Sequence, residues 1–227
     1  MLNPATILGI IIFIPPIIAL YYLLGEYERY FKANKALFMI FTGLAVGVGA
    51  GFFSISFFLQ GIVSALLLVI LVEVIKFLVM MQTPFRMNYD TPFYGFAFGT
   101  GIGAMMIFTL VYGSRSFSLE ATNITMIFLL SYNYTFVQAS TGTIIGYGSS
   151  LGEFWRYLLR AVLVSGIHVS LMAFFWEGRF DLIGDFAVLM IGAVFGTIVI
   201  LYVYRELFPE IISDKLDELE EDESESA

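Results

Sequence analysis

The residues with chemistry to offer are few, and they sit in apolar surroundings. Glu73 and Lys76 lie one helical turn apart in LVEVIKFLV, on the same face of a helix. The chain's single histidine, His168, lies in LVSGIHVSLMAF, and Asn133 and Gln138 lie in LLSYNYTFVQAS. Asp185, in LIGDFAVL, stands near enough to the end of its apolar run to be interfacial. Ionisable groups inside a bilayer are costly, which makes them functional candidates by default. Two chemistries are open to this set. In one, Glu73 and Lys76 form a buried ion pair that locks helices together, and His168 makes an interhelical hydrogen bond worth about 1 kcal/mol. In the other, Glu73 and His168 come together from different segments to hold zinc. A zinc that hydrolyses a peptide bond needs three protein ligands and an open water position. Glu73 and His168 make two, and a third would be a weaker oxygen donor such as Asn133 or Asp90. Thiolate ligands and disulfides are excluded, because the chain contains no cysteine.

A third chemistry is suggested by STGTIIGYG at 140–148, which reads like the selectivity filter of a potassium channel. The register argues against it. Ile144 stands where the filter's first threonine would supply a hydroxyl, and Ser149 follows the GYG where an acid is usual. The plainer reading is a helix end broken by Gly146 and Gly148.

The elements that must position these residues are membrane helices. The chain has 227 residues, 59% hydrophobic and 13% charged, against roughly half apolar and a quarter charged in soluble domains. A span needs about 20 apolar residues. Seven segments qualify, near 5–24, 36–59, 61–82, 92–113, 124–146, 157–176 and 182–204. The expected fold is therefore all-α, a bundle of about seven transmembrane helices occupying residues 1–208. Residues 209–227 form an acidic tail, expected to be disordered, which carries much of the net charge of −8. Such a tail argues against nucleic acid as a partner. Eight basic residues flank the spans on one side: Arg29, Lys32, Lys35, Arg86, Arg156, Arg160, Arg205 and Lys215. Arg115 and Arg179 flank them on the other. That bias predicts an outside N-terminus, a cytoplasmic C-terminus, and GTIIGYG at the cytoplasmic end of the fifth span.

Glycines carry a separate signal. Gly43, Gly47 and Gly51 form GxxxGxxxG in the second span, Gly95, Gly99 and Gly103 form another in the fourth, and Gly192 and Gly196 add a shorter one in the seventh. Four-residue spacing aligns glycines on one helix face and lets another backbone approach closely. The approaching helix could belong to this chain or to another membrane protein.

Taken together, these segments resemble the PrsW family of intramembrane metalloproteases, which is related to the CAAX-processing proteases and to the anterior-pharynx-defective scaffold subunit of gamma-secretase. IPPIIALYYLLGEYERYFKAN is similar to the family's first span. VEVIK resembles its EExxK motif, with Glu73 and Lys76 matching the second acid and the lysine. DTPFYGFAFG resembles DEPxDGxxYG, with Asp90, Pro92, Gly95 and Gly99 matching. SYN at 131–133 aligns with the segment around the family's first histidine, and His168 aligns with the second. The departures fall on the chemistry. Val72 replaces the first glutamate of EExxK, Tyr94 the second aspartate of DEPxDG, Asn133 the first histidine, and a position near Leu110 the fourth-span glutamate. Of the catalytic and metal set that the resemblance implies, Glu73 and His168 remain. The scaffold subunit of gamma-secretase is similar in its seven spans and its fourth-span glycine repeat, and it organises a complex without cutting.

Three functions follow, in order of preference. The first is a catalytically degenerate, PrsW-like scaffold or binding partner of other membrane proteins. It needs no cofactor and uses its glycine faces as docking surfaces. The second is an intramembrane zinc protease with an altered ligand set, in which Glu73 acts as base or ligand and His168 as ligand. The third is an ion channel or transporter. The absence of cysteine and the acidic tail suit a multi-pass protein of a prokaryotic inner membrane.

Overall fold

Two adjacent prolines shape the first helix. The computed structural model describes residues 4–58, 61–114, 121–176 and 182–213. Its first helix, α1 (Pro4–Ile18), contains Pro15 and Pro16 and passes directly into a π-helical stretch, Ala19–Leu24, and a 3-10 stretch, Gly25–Tyr30. Proline has no N–H, so Pro16 cannot donate to the carbonyl of Ile12 one turn back. A side chain from another helix repairs the loss, because the Ser131 hydroxyl donates to that carbonyl. In an apolar interior a freed carbonyl needs such a donor.

Six further helices follow among the described residues: α2 (Ala33–Phe58), α3 (Ile62–Met80), α4 (Thr91–Ser114), α5 (Ala121–Leu151), α6 (Phe154–Trp176) and α7 (Leu182–Tyr202). There is no strand among the described residues. Six helical stretches are long and apolar enough to cross a membrane: Thr6–Tyr30, Ala33–Ile55, Ile62–Met80, Thr91–Gly113, Phe154–Trp176 and Leu182–Ser213. The exception is α5. Its 31 residues give it ample length, but it carries Ser131, Asn133, Thr135, Gln138, Ser140, Thr141 and Thr143. All seven are buried. The helix touches α1, α3, α4, α6 and α7, and every residue from 133 to 149 is buried. Surrounded in this way, it needs no lipid-facing apolar stripe.

Two glycine seams fix α4 between α2 and α5. Gly43, Gly47 and Gly51 face Phe98, Ile102 and Thr109, and a methyl group on Gly47 would sit 2.7 Å from the Ile102 carbonyl oxygen. Residue numbers rise together along this seam, so α2 and α4 run parallel. Gly95, Gly99 and Gly103 face Gly142, Gln138 and Thr135, and Gly146 lies over Pro92. Here the numbers run in opposite directions, so α4 and α5 are antiparallel. All six glycines, with Gly142, let backbones meet within this chain. They do not form an exposed docking face, and Gly192 is likewise covered by Met172 and Asn133.

Two boundaries differ from the sequence expectation. The helix is not broken at Gly146 and Gly148. It runs to Leu151 and stops at Gly152, whose φ of +75° is the left-handed turn that commonly follows a helix. Gly146 and Gly148 are buried against Pro92 and Tyr157, so they serve packing. The last helical stretch also continues past 208, through residue 213. The rest of the acidic tail (214–227, including Lys215) lies outside the described residues, as do Arg115 and Arg179.

Candidate functional site: a buried polar centre

The glycine seams draw α4 and α5 together, and α3 and α6 close over the other side of α5. Where α3, α5 and α6 meet, the polar residues of all three converge. Glu73 and Lys76 are fully buried, with 2.9 Å between Lys76 Nζ and Glu73 Oε1. A charge without a partner would be prohibitive here, and the pair is tolerable because each charge is also hydrogen-bonded. An ammonium carries three donors, and all three have acceptors: Glu73 Oε1, Thr141 Oγ1 at 2.6 Å and the Gln138 carbonyl at 3.4 Å. Glu73 Oε1 also accepts from the Ser165 hydroxyl at 2.6 Å and lies 3.2 Å from Thr141 Oγ1. One carboxylate oxygen thus ties α3 to both α5 and α6.

Helical spacing explains the convergence. Glu73 and Lys76, Gln138 and Thr141, and Ser165 and His168 are each three residues apart, so each pair presents one face of its helix. Composition alone marked Glu73, Lys76 and Gln138. Thr141 was hidden in the filter-like stretch, and Ser165 was hidden one turn before the histidine. The signal available for both was this shared spacing.

His168 is buried but does not reach Glu73 by a hydrogen bond. Ser165 makes that contact. The imidazole stands edge-on to Tyr134, with 5.0 Å between ring centroids, and is stacked at 6.5 Å from Phe195. Its Nε2 has no hydrogen-bond partner among the described residues, nor have Glu73 Oε2 and Gln138 Oε1. Asn133 donates from Nδ2 to the Leu189 carbonyl at 3.0 Å and packs against Gly192, joining α5 to α7. Asp90 lies at the N-terminal boundary of α4, where its Oδ2 accepts from the Tyr94 hydroxyl at 2.7 Å. The Lys32 backbone N–H in turn donates to that hydroxyl at 3.0 Å. Pro92 is in the first turn of α4, where a missing N–H costs nothing. Asp185 falls in the first turn of α7 and is half-buried.

This donor set does not suit zinc. No group of three His, Cys, Asp or Glu residues comes together among the described residues. Glu73 already holds an ammonium, Asn133 and Asp90 belong to other contacts, and His168 is set among aromatic rings. The filter-like segment does not suit a channel either. Residues 140–148 are helical, so their carbonyls point along the helix axis rather than into a pore. No protein-family model matches the chain, and no curated protein or solved structure is significantly similar to it.

Proposed function

We propose that this protein is a catalytically degenerate, PrsW-like scaffold or binding partner for other membrane proteins in a prokaryotic inner membrane, with its N-terminus outside and its C-terminus in the cytoplasm. One observation carries the non-catalytic part: Lys76 occupies the cation position at Glu73, and its three donors are all matched inside the chain. A carboxylate held by an internal lysine, a serine and a threonine is a lock between helices. The orientation is supported by clustering of basic residues. Lys35 reaches the Pro84 carbonyl, Arg86 lies over the ring of Phe154, and Arg160 lies over Tyr157. The start of α2, the connection between α3 and α4 and the start of α6 therefore gather positive charge at one end of the bundle. Because the glycine faces are internal, partners would dock on the outward stripe of α6, where Trp155, Leu159, Leu163 and Ile167 are exposed at four-residue spacing.

The test has two arms. Zinc is quantified per chain in protein purified in mild detergent, for the wild type and His168→Ala. Photo-crosslinking is then run in membranes from residue 159. Negligible zinc in both proteins, with discrete crosslinked partners, is the expected result. The partners must disappear when the stripe is made polar at Leu163. About one zinc per wild-type chain that is lost in His168→Ala overturns the degenerate reading. Absence of any crosslink overturns the scaffold.

A second reading, an intramembrane zinc protease with altered ligands, draws on the unpartnered His168 Nε2 and Glu73 Oε2. The zinc arm decides against it or for it.

A further inference from the structure

Besides the polar centre, the molecule holds a crevice of about 540 Å³ on its lipid-facing side, where α6 and α7 diverge over the end of α5. Val164, Ile198 and Val199 form its apolar walls, and Ile198 is 61% exposed, so the crevice opens toward the bilayer. One end is different. Tyr157 and Arg160 come from the first two turns of α6, and Tyr202 from the last turn of α7. These places put all three near the same membrane surface.

Arg160 is the informative residue. It is half-buried in the crevice wall, its guanidinium is 4.7 Å from the centroid of the Tyr157 ring, and it has no carboxylate within ion-pair distance among the described residues. Arg156, one turn earlier, is exposed and is matched by Glu153 at 2.8 Å. The nearby acids Glu206 and Glu210 are exposed rather than turned into the crevice. A guanidinium held by an aromatic face keeps its planar fork of donors free for a phosphate. The volume is within the range of small-molecule sites, and the long apolar walls suit an acyl chain.

We propose that this crevice is a site for one anionic glycerophospholipid. The phosphate would sit on Arg160 beside the Tyr157 and Tyr202 hydroxyls, and an acyl chain would lie between α6 and α7. Basic pockets between transmembrane helices recognise anionic headgroups by this chemistry. The site is separate from the polar centre, and it does not depend on the scaffold reading.

The full-length protein in mild detergent is titrated with phosphatidylglycerol or phosphatidylcholine of equal chain length, and bound lipid is counted by native mass spectrometry. The wild type should bind one phosphatidylglycerol about tenfold more tightly than phosphatidylcholine, because both carry the phosphate but only choline brings a second cation against the Arg160 guanidinium. Arg160→Gln should abolish that preference, and Arg156→Gln should keep it. Val164→Trp, which fills the crevice, should remove the tightly bound lipid altogether. Three results would overturn the site: equal binding of the two lipids by the wild type, an undiminished preference in Arg160→Gln, or equal loss in Arg160→Gln and Arg156→Gln, which would mean diffuse attraction. Should Val164→Trp fail to fold, the two arginine variants still decide.

Discussion

Gly99→Ala and Gly49→Ala make the same chemical change in two helices of the bundle, and the structure assigns them opposite signs. A methyl group on Gly99 would lie against the Gln138 carbonyl, 2.6 Å from its carbon and 2.9 Å from Ala139 Cα. Ordinary contact begins near 3.4 Å, so α4 and α5 must part by close to an ångström. The obstruction is backbone, which cannot rotate away as a side chain would. Overpacking costs about 1–3 kcal/mol, and a rigid neighbour puts this site at about the upper end. Alanine returns about 1 kcal/mol through its helix preference, leaving a net loss of about 2 kcal/mol. Around Gly49, a methyl group would find nothing within 4 Å, so the helix preference acts alone and stabilises by about 0.5–1 kcal/mol. At about 2–4 °C per kcal/mol for a chain of this size, the variants should melt about 5–12 °C apart. The assay is thermal unfolding in a single detergent, followed by size-exclusion of the surviving monomer. The Gln138 carbonyl also accepts from Lys76, so Gly99→Ala should sensitise the polar centre to further change, and Gly49→Ala should not. If the two variants melt together, the seam is not close-packed as described and the internal role of the glycines is wrong.

Other expectations follow from the same contacts. Ser131→Ala removes the donor to the Ile12 carbonyl and should cost about 1–3 kcal/mol. In a Pro16→Ala background, where residue 16 regains its N–H, the same change should cost measurably less, and a double-mutant cycle in SDS unfolding reads the difference. Glu73→Leu or Lys76→Met alone leaves a buried charge unmatched and should cost about 3–5 kcal/mol, whereas the double variant should recover most of the loss. Failure of that rescue would mean that the carboxylate does more than pair with the lysine. Thr141→Val removes the shortest of the Lys76 contacts and should destabilise by about 1–2 kcal/mol, with no change in zinc content.

How much of this was legible beforehand depended on what each residue type can report. Long apolar runs announce membrane helices, because hydrocarbon admits little else, and the stretches that became α2, α3, α4, α6 and α7 were readable on that ground. Polarity within an apolar run was an equally sound pointer for Glu73 and Lys76, which pair, whereas Gln138 meets Lys76 through its backbone carbonyl and not through the amide that drew attention to it. The partners that complete the centre were not readable one residue at a time. A threonine or serine in a membrane helix can bond to its own backbone as easily as to a neighbour. Thr143 donates to the Ala139 carbonyl on its own helix, whereas Ser165 donates to Glu73 on another. Only packing separates the two cases.

Glycine posed the same ambiguity more sharply. Gly146 and Gly148 can break a helix or admit a neighbour, and their local sequence favours the break. What decides is the partner's register. Along the α4–α5 seam, Gly103 faces Thr135, Gly99 faces Gln138, Gly95 faces Gly142 and Pro92 faces Gly146. Advancing about four residues on one helix retreats about four on the other, as two antiparallel helices of equal rise must do. Gly142 and Gly146 therefore extend the repeat begun at Gly95 and Gly99 across the interface. Read as two opposed ladders, GxxxGxxxG in α4 and the four-residue step from Gly142 to Gly146 in α5 specify one another. A filter needs its glycines to expose carbonyls to ions, whereas these glycines are used to bring two backbones together. The same rule makes Gly148 informative: it lies beyond the α4 seam and meets Tyr157 of α6 instead, so its replacement should disturb the α5–α6 corner and leave the α4 seam intact.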